Sequence, residues 1–392
     1  MRILTVFIDT IRANRLSIIQ NDLKKNPFDK YLQNLGGTVY KNVISPGPDT
    51  PRGSSVYFSG KPPWENGCNT RCKWPRFFLD KNSYTNLDLF SEYDYEQYFF
   101  SNPNERNLGL LPLESERYKN NTDLNLQNFI NEIELSNQSH LFVSLPDFSW
   151  VLNDFGFNKI SETLGYKKII SSLDIIFKKF PPDYFDHIIF FSDHGFKFSS
   201  EINKTKHDQY SLYLYNEDRI RPLLFHRNKK EKDLNINNKL LSLADIQTMY
   251  KILLNKDSVI KNLNERKYIC FEDHLNFGIS DFMKTEIFGY VDKKFLYIRS
   301  FYKSLTLDRN GNFVSNKSSK KIDDILKSET SFGSKFEYFL KLPQHRPIQI
   351  PQNIYTNGSK RIIKKFILVK KIRSFIRKIL NKILLLINII FK

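Results

Sequence analysis

Three stretches of the chain are apolar at almost every position, and each runs into an acid. They are RILTVFID (2–9), HLFVSLPD (140–147) and HIIFFSDHG (187–195), with Asp9, Asp147 and Asp193 at their ends. A strand that is wet on one face alternates apolar and polar residues; an unbroken, β-branched run is the pattern of a strand covered on both faces, as in a parallel sheet. Between the second and third runs the period changes. In SETLGYKKIISSLDIIFKKF (161–180), Leu164, Ile169, Leu173, Ile176 and Phe177 recur at helical spacing with basic residues between them, and Pro181 and Pro182 stop the helix. Strand, helix, strand makes a βαβ unit with parallel strands. RPLLFH (221–226) reads as a further short strand, and KLLSLADIQTMYKILLN (239–255) as a second helix.

After about residue 265 the pattern alternates, and Asn310-Gly311 is a hairpin signal inside FGYVDKKFLYIRSFYKSLTLDRNGNFVS (288–315), so a small antiparallel sheet is expected there. The region 65–135 is rich in Asn, Tyr and Phe and has no clean period; loops and a few helices are expected. The predicted fold is α/β, a doubly wound and mostly parallel sheet flanked by helices, with a small C-terminal antiparallel sheet and a C-terminal amphipathic helix. The expected divisions are a core over 1–264, its C-terminal part over 265–343, a linker over 344–359 and a tail over 360–392.

Charge sharpens the reading of the tail. The chain of 392 residues carries a net charge of +18, and eleven of its sixty Lys and Arg lie in 360–392, where there is no acid. Ile362, Phe366, Val369, Ile372, Ile376, Ile379 and Ile383 share one helical face there, with lysines and arginines filling the other. The longest uncharged run, 383–391, is nine residues, against the roughly 20 that a membrane-spanning helix needs. A basic amphipathic helix lying on an anionic membrane surface fits this pattern, the alternative being a helix packed on the protein's own body or on a partner subunit. The concentration of charge in the tail argues against a nucleic-acid partner, which would need basic and aromatic residues interleaved on one surface. Three cysteines, Cys68, Cys72 and Cys270, are too few for a disulfide framework, and no second pair completes a zinc site. The N-terminal apolar run is too short for a signal peptide, so the expected location is the cytoplasm, peripheral on the inner face of the plasma membrane.

Ligands of doubly wound sheets sit beyond the carboxyl ends of the strands. Acids at three strand ends would therefore converge on one edge, and His194 after Asp193 adds a nitrogen donor. Carboxylates with an imidazole suit one divalent cation, Mn²⁺ or Zn²⁺, and less specifically Mg²⁺ or Ca²⁺.

At this point the chain resembles the sulfatase-like branch of the alkaline phosphatase superfamily. FIDTIRANRLS (7–17) is similar to its first strand and metal aspartate, PDTPRGSSVYFSG (48–60) to its nucleophile segment, GYKKIISSLDIIFKKFPPDYFDHIIFFSDHG (165–195) to its helix, strand and S-D-H-G metal segment, and 221–254 to its following strand and helix. The resemblance covers roughly residues 1–255. It implies Asp9, Thr50, Asp193 and His194 as metal ligands, with Thr50 as the nucleophile ten residues before Gly60. It further implies His207 as a substrate-binding or proton-donating histidine. Arg52 and Lys206 are candidates for neutralising phosphate, and Asp147 for contacting substrate or a second ion. Read by itself, Thr50 is a helix N-cap before it is a nucleophile.

The chain departs from the sulfatase pattern at three points. Threonine stands where sulfatases carry the cysteine or serine that becomes formylglycine, Asp9 is followed by Thr10 rather than a second acid, and Val151 stands where a D-x-x-x-H ligand of a second metal would be. Together these resemble the one-metal transferases that move phosphoethanolamine or phosphoglycerol. The expected function is transfer of such a group from a phosphorylated donor, a phospholipid among the candidates, to a glycan or lipid-linked glycan through a phosphothreonine. The alternatives are hydrolysis of phosphate or sulfate esters, and an inert membrane-bound scaffold.

Overall fold

The computed structural model describes residues 1–20, 26–68, 79–80, 82–101, 124–196, 217–255, 257, 259–274, 286–299, 304–315, 317 and 319–334. The three apolar runs are neighbours in one seven-stranded sheet. Its strands are β1 (Arg2–Ile8), β2 (Gly37–Ile44), β3 (Glu96–Phe100), β4 (Ser139–Leu145), β5 (His187–Phe191), β6 (Leu224–Asn228) and β7 (Leu234–Ser242), in the order β3-β4-β1-β5-β6-β2-β7. β1 pairs in parallel with β4 on one side and β5 on the other; only β6 runs against its neighbours.

The continuous apolar runs are explained by cover on both faces. Leu4, Val6 and Ile8 of β1 point to a core shared with α1 (Pro27–Leu35) and α6 (Lys159–Lys179), which contributes Ile169, Leu173 and Ile176. Ile3 and Phe7 point the other way, to a second core with Val56 and Tyr57 of α2 (Thr50–Ser59) and Ile246, Met249 and Leu253 of α7 (Asp245–Leu254). Among the described residues, the other helices of the core are α3 (Asn86–Glu92), α4 (Leu126–Glu132), α5 (Asp147–Phe155) and the single turn α8 (Val259–Asn262).

The second sheet is antiparallel and five-stranded, β12-β11-β10-β9-β8, built from β8 (Tyr268–His274), β9 (Glu286–Asp292), β10 (Phe295–Arg299), β11 (Ser304–Asp308) and β12 (Phe313–Ser315). One of its faces joins Ile44, Ile220 and Leu240 of the main sheet region, and the other is covered by Leu326 of α9 (Lys320–Glu329). Asn310-Gly311 lies in the β11–β12 turn as expected, with Gly311 at φ 88°.

Three sequence expectations need correction. The region 65–135, expected to hold loops and a few helices, also supplies the edge strand β3, parallel to β4. The segment 239–255 is not one helix: its first residues complete β7, and α7 starts only at Asp245. Leu240 and Leu241 are buried beside β2, so their apolar side chains satisfy a strand as readily as a helix, and pairing decides. β2 was not anticipated as a strand, because Lys41 and Asn42 interrupt its apolar run at a register shift between Tyr40 and Asn42. The linker and tail expected over 344–359 and 360–392 lie outside the described residues. Among the described residues, no helix is long and apolar enough to cross a membrane.

Candidate metal centre

Because β1 and β5 are parallel neighbours, with Phe7 opposite Phe191, the residues two steps beyond that pair leave the sheet side by side. They are Asp9 and Asp193. Together with His194 they offer two carboxylate oxygens and an imidazole nitrogen that all lie within 4.8 Å of one another. His194 Nε2 is 3.3 Å from Asp193 Oδ2 and 3.9 Å from Asp9 Oδ1. Its other ring nitrogen, Nδ1, lies 2.7 Å from the Gly195 carbonyl oxygen. That carbonyl can only accept, so Nδ1 donates to it and Nε2 is the ring nitrogen turned to the carboxylates.

Thr50 completes the group from the opposite side. β2 ends at Ile44, and the chain then turns into α2 with Asp49 as N-cap, whose side chain accepts from the Arg52 N–H at 3.2 Å. Thr50 is therefore the first helical residue, and its hydroxyl is not the cap. Oγ1 stands 3.4 Å from Asp9 Oδ1 and 3.3 Å from His194 Nε2. Gly53 makes this approach feasible. A Cβ there would sit 2.6 Å from the Asp193 carbonyl oxygen, closer than real Cβ contacts come, so a side chain would push the helix off the ligands.

Thr10, which replaces the second acid, holds both carboxylates in place. Its hydroxyl donates to Asp9 Oδ1 at 2.5 Å and its N–H to Asp193 Oδ1 at 3.2 Å. It does so at φ 76°, a backbone conformation costly for a β-branched residue.

The electrostatics fit a cation. Asp193 is fully buried, and its Oδ2 has no hydrogen-bond partner. Burial foremost, with the nearby Asp9 carboxylate adding to it, raises the Asp193 pKa above the usual range against the pull of His194. An orphaned, desolvated carboxylate oxygen facing a second carboxylate and an imidazole nitrogen is a candidate donor set for a divalent ion.

Around this group runs a chain of ion pairs. Arg52 grips Asp49 through Nε at 2.6 Å and through Nη2, and Nη2 also reaches Asp273 of β8 at 3.4 Å. Burial works against ionisation of Asp49, but the charge and hydrogen bonds of Arg52 outweigh it and hold the carboxyl below its usual range. Arg219 Nη1 reaches the same Asp273 at 3.1 Å, while its Nη2 donates to the Pro48 carbonyl at 2.6 Å. The antiparallel sheet thus braces the turn that presents Thr50.

The structure brings together Asp9, Thr50, Asp193 and His194. Arg52 is buried beside them, with its charge already met by Asp49 and Asp273 and only Nη1 lacking a partner. Asp147 follows the end of β4, but its carboxylate turns away to α6, where Ser172 donates to it at 3.4 Å and the charge of Lys168 lies near. It is not part of the cluster, and burial raises its pKa. Lys206 and His207 lie outside the described residues. Sequence reasoning missed Asp49, Thr10, Arg219 and Asp273 as contributors. An acid just before Thr-Pro at a helix start was a legible cap signal for Asp49. Nothing local marks Asp273, which is 221 positions from Arg52.

No family model matches the sequence, and neither does any curated protein. Solved structures do. A 2-O GAG sulfatase superposes with a TM-score of 0.60 at 12% identity, covering 87% of this chain and 92% of its own. A protein in the alkaline phosphatase superfamily from Vibrio parahaemolyticus gives 0.56 at 14%, covering 86% and 87%. The phosphonate monoester hydrolase of Agrobacterium radiobacter gives 0.54 at 11%, covering 87% and 94%. The chain has the fold of the alkaline phosphatase superfamily in its sulfatase-like form, with a candidate cation site where β1 and β5 end.

Proposed function

We propose that the chain is a metal-dependent enzyme that cleaves a phosphate ester through a covalent intermediate on Thr50. It passes the phospho-substituent, of phosphoethanolamine or phosphoglycerol type, to a glycan or lipid-linked glycan hydroxyl. One observation carries this reading: the Thr50 hydroxyl lies 3.4 Å from Asp9 and 3.3 Å from His194 while Asp49, not Thr50, caps the helix. A threonine that neither caps nor packs, aimed at a buried set of ligands, is a nucleophile in waiting.

Asp9, Asp193 and His194, with Thr50 as a fourth donor, would hold one divalent cation, Mn²⁺ or Zn²⁺ by the chemistry of the donors. Such an ion favours an alkoxide over an alcohol and withdraws charge from a phosphoryl oxygen. The chain's own residues do the rest. Thr50 Oγ1 gives its proton to solvent and forms a bond to phosphorus as the bond to the leaving oxygen breaks. The leaving oxygen takes up a proton, for which His207 is the candidate donor. The acceptor hydroxyl then gives up its proton, attacks phosphorus and releases Thr50. The unpartnered Arg52 Nη1 is a further donor toward the anion.

Hydrolysis is the second reading, with water in place of the acceptor. It is favoured by the similarity to a sulfatase and to a phosphonate monoester hydrolase. The basic tail supports a position on an anionic membrane, at its cytoplasmic face, where a lipid donor or lipid-linked acceptor would be at hand.

The test is to incubate the Mn²⁺-loaded protein with head-group-labelled phosphatidylethanolamine or phosphatidylglycerol and map the label by mass spectrometry. Label on Thr50, absent from Thr50→Ala, is expected. Undiminished turnover in Thr50→Ala overturns the mechanism, and label released as a free phosphoester despite added glycan selects hydrolysis.

A further inference from the structure

Apart from the metal centre, a cavity of about 520 Å³ opens between the main sheet and the turns of the antiparallel sheet. None of Asp9, Thr50, Asp193 and His194 lines it. Arg12 and Asp218, which line it, connect it to the segment that follows His194. Arg12, three residues after Asp9, donates to the Phe196 carbonyl at 2.8 Å and pairs with Asp218, and Gly195 lies against the Asp218 backbone.

The lining carries more cationic than anionic charge. Glu217 is asked to answer two guanidinium groups: Arg309 grips it with Nη2 at 2.8 Å and with Nε, and Arg221 Nη1 stands 3.6 Å away. Arg221 is 8% exposed, and its other contacts are neutral acceptors, the Lys41 carbonyl at 3.2 Å and Asn42 Oδ1 at 3.0 Å. Burial, together with the neighbouring charges of Arg309 and Arg12, works against its ionisation, which a guanidinium cannot relieve by losing a proton. Lys41 adds a cation with no acidic partner among the described residues. Beyond the charges, the rim is carboxamide, with Gln20, Asn238 and Asn310 lining the same cavity. Paired donors and acceptors of this kind match vicinal hydroxyls, and two arginines sharing one carboxylate match a sulfate, phosphate or carboxylate.

We propose that this cavity is a second binding site, separate from the reaction centre, that takes an acidic saccharide. Its anionic group lies between Lys41 and the Arg221–Arg309 pair, and its hydroxyls lie against the carboxamide rim. The site does not depend on Thr50 chemistry, so it stands or falls apart from the proposed reaction.

The test is calorimetric titration of the full-length protein with a singly sulfated disaccharide, its unsulfated counterpart and inorganic sulfate. The sulfated sugar is expected to bind at least about tenfold more tightly than either control. Lys41→Glu should weaken it by about tenfold or more, Lys41→Arg and Thr50→Ala should leave it unchanged, and melting curves should show Lys41→Glu folded. Lys230→Glu, an exposed change of the same charge on the β6–β7 turn, separates the site from the general field of a basic protein. Equal weakening by Lys230→Glu, no weakening by Lys41→Glu, or equally tight binding of inorganic sulfate would each overturn the proposal.

Discussion

The hydroxyl of Thr50 lies 3.3 Å from Nε2 of His194, although 144 positions separate the two residues. Asp49 caps the helix that begins at Thr50, which leaves that hydroxyl free for chemistry.

Capping and catalysis therefore separate in two substitutions. Thr50→Ala should lower turnover by about 10³-fold or more while changing unfolding free energy by less than about 0.5 kcal/mol. Asp49→Ala should destabilise by roughly 3 kcal/mol, since it removes a cap and leaves the buried Arg52 charge to the more distant Asp273 alone. Urea unfolding of both variants decides it; a large stability loss in Thr50→Ala would make Thr50 a structural residue.

The Asp193 carboxylate is buried with one oxygen unpartnered, so it is a liability until a cation arrives. Without metal, Asp193→Asn should be at least as stable as the native chain. Cation at about 100 times its Kd should stabilise the native chain by about 2.7 kcal/mol and leave Asp193→Asn unmoved. Thermal melts with and without Mn²⁺ read both arms, and an equal Mn²⁺ response in the two proteins counts against the site.

Gly53 lets the start of α2 touch the Asp193 backbone. Gly53→Ala places a Cβ 2.6 Å from the Asp193 carbonyl oxygen, where only backbone movement can relieve the clash. A cost of about 1–3 kcal/mol is expected, along with weaker cation binding. Unchanged stability and affinity would mean that the helix does not sit against the ligands.

Three histidines of the sheet are buried away from acids strong enough to keep them charged. Burial lowers His140 to about 3, His187 to about 4 and His226 to about 3, against an unfolded value of 6.5. In this window the unfolded chain binds protons that the folded chain refuses, so each histidine subtracts stability as pH falls below about 6.5, down to its folded value. His140 bonds to Thr5 Oγ1 at 3.0 Å and stacks on Phe90, and glutamine can keep the hydrogen bond. Between pH 6.5 and 5, His140→Gln should lose about 1.5 kcal/mol less stability than the native chain. Parallel stability–pH curves for the two proteins would reject this assignment.

The tail reading is tested by vesicle sedimentation. The full chain should bind vesicles containing anionic lipid and release them as salt rises, at about 1 kcal/mol per basic residue near the surface. A chain lacking 360–392 should not bind. Salt-insensitive binding, or binding that survives the deletion, would remove the tail from the account.

Much of the fold was written in local pattern. A strand covered on both faces must be apolar throughout, so β1, β4 and β5 were visible as runs, and α6 as a 3.6-residue period between them. The acid after each run was visible for the same reason, since polarity returns where the sheet ends. Thr50 was singled out by the resemblance of 48–60 to a nucleophile segment, not by any local pattern. The pattern of 239–255 was ambiguous because leucines buried beside β2 satisfy a strand and a helix equally.

What only the folded chain decided is which of these residues meet. Asp9, Asp147 and Asp193 looked equivalent in sequence, each closing an apolar run. Parallel pairing of β1 with β5 brings Asp9 and Asp193 together, and the close approach of α2 at Gly53 brings Thr50 to Asp9 and His194, whereas Asp147, opening α5, turns to Ser172. Arg52 read as a free cation, yet Asp273 from the other sheet shares its charge. Local sequence determines whether a segment is a strand and where its polar end lies. The direction a side chain takes at that end depends on strand order and on helix contacts made hundreds of positions away, and those carry no local signature.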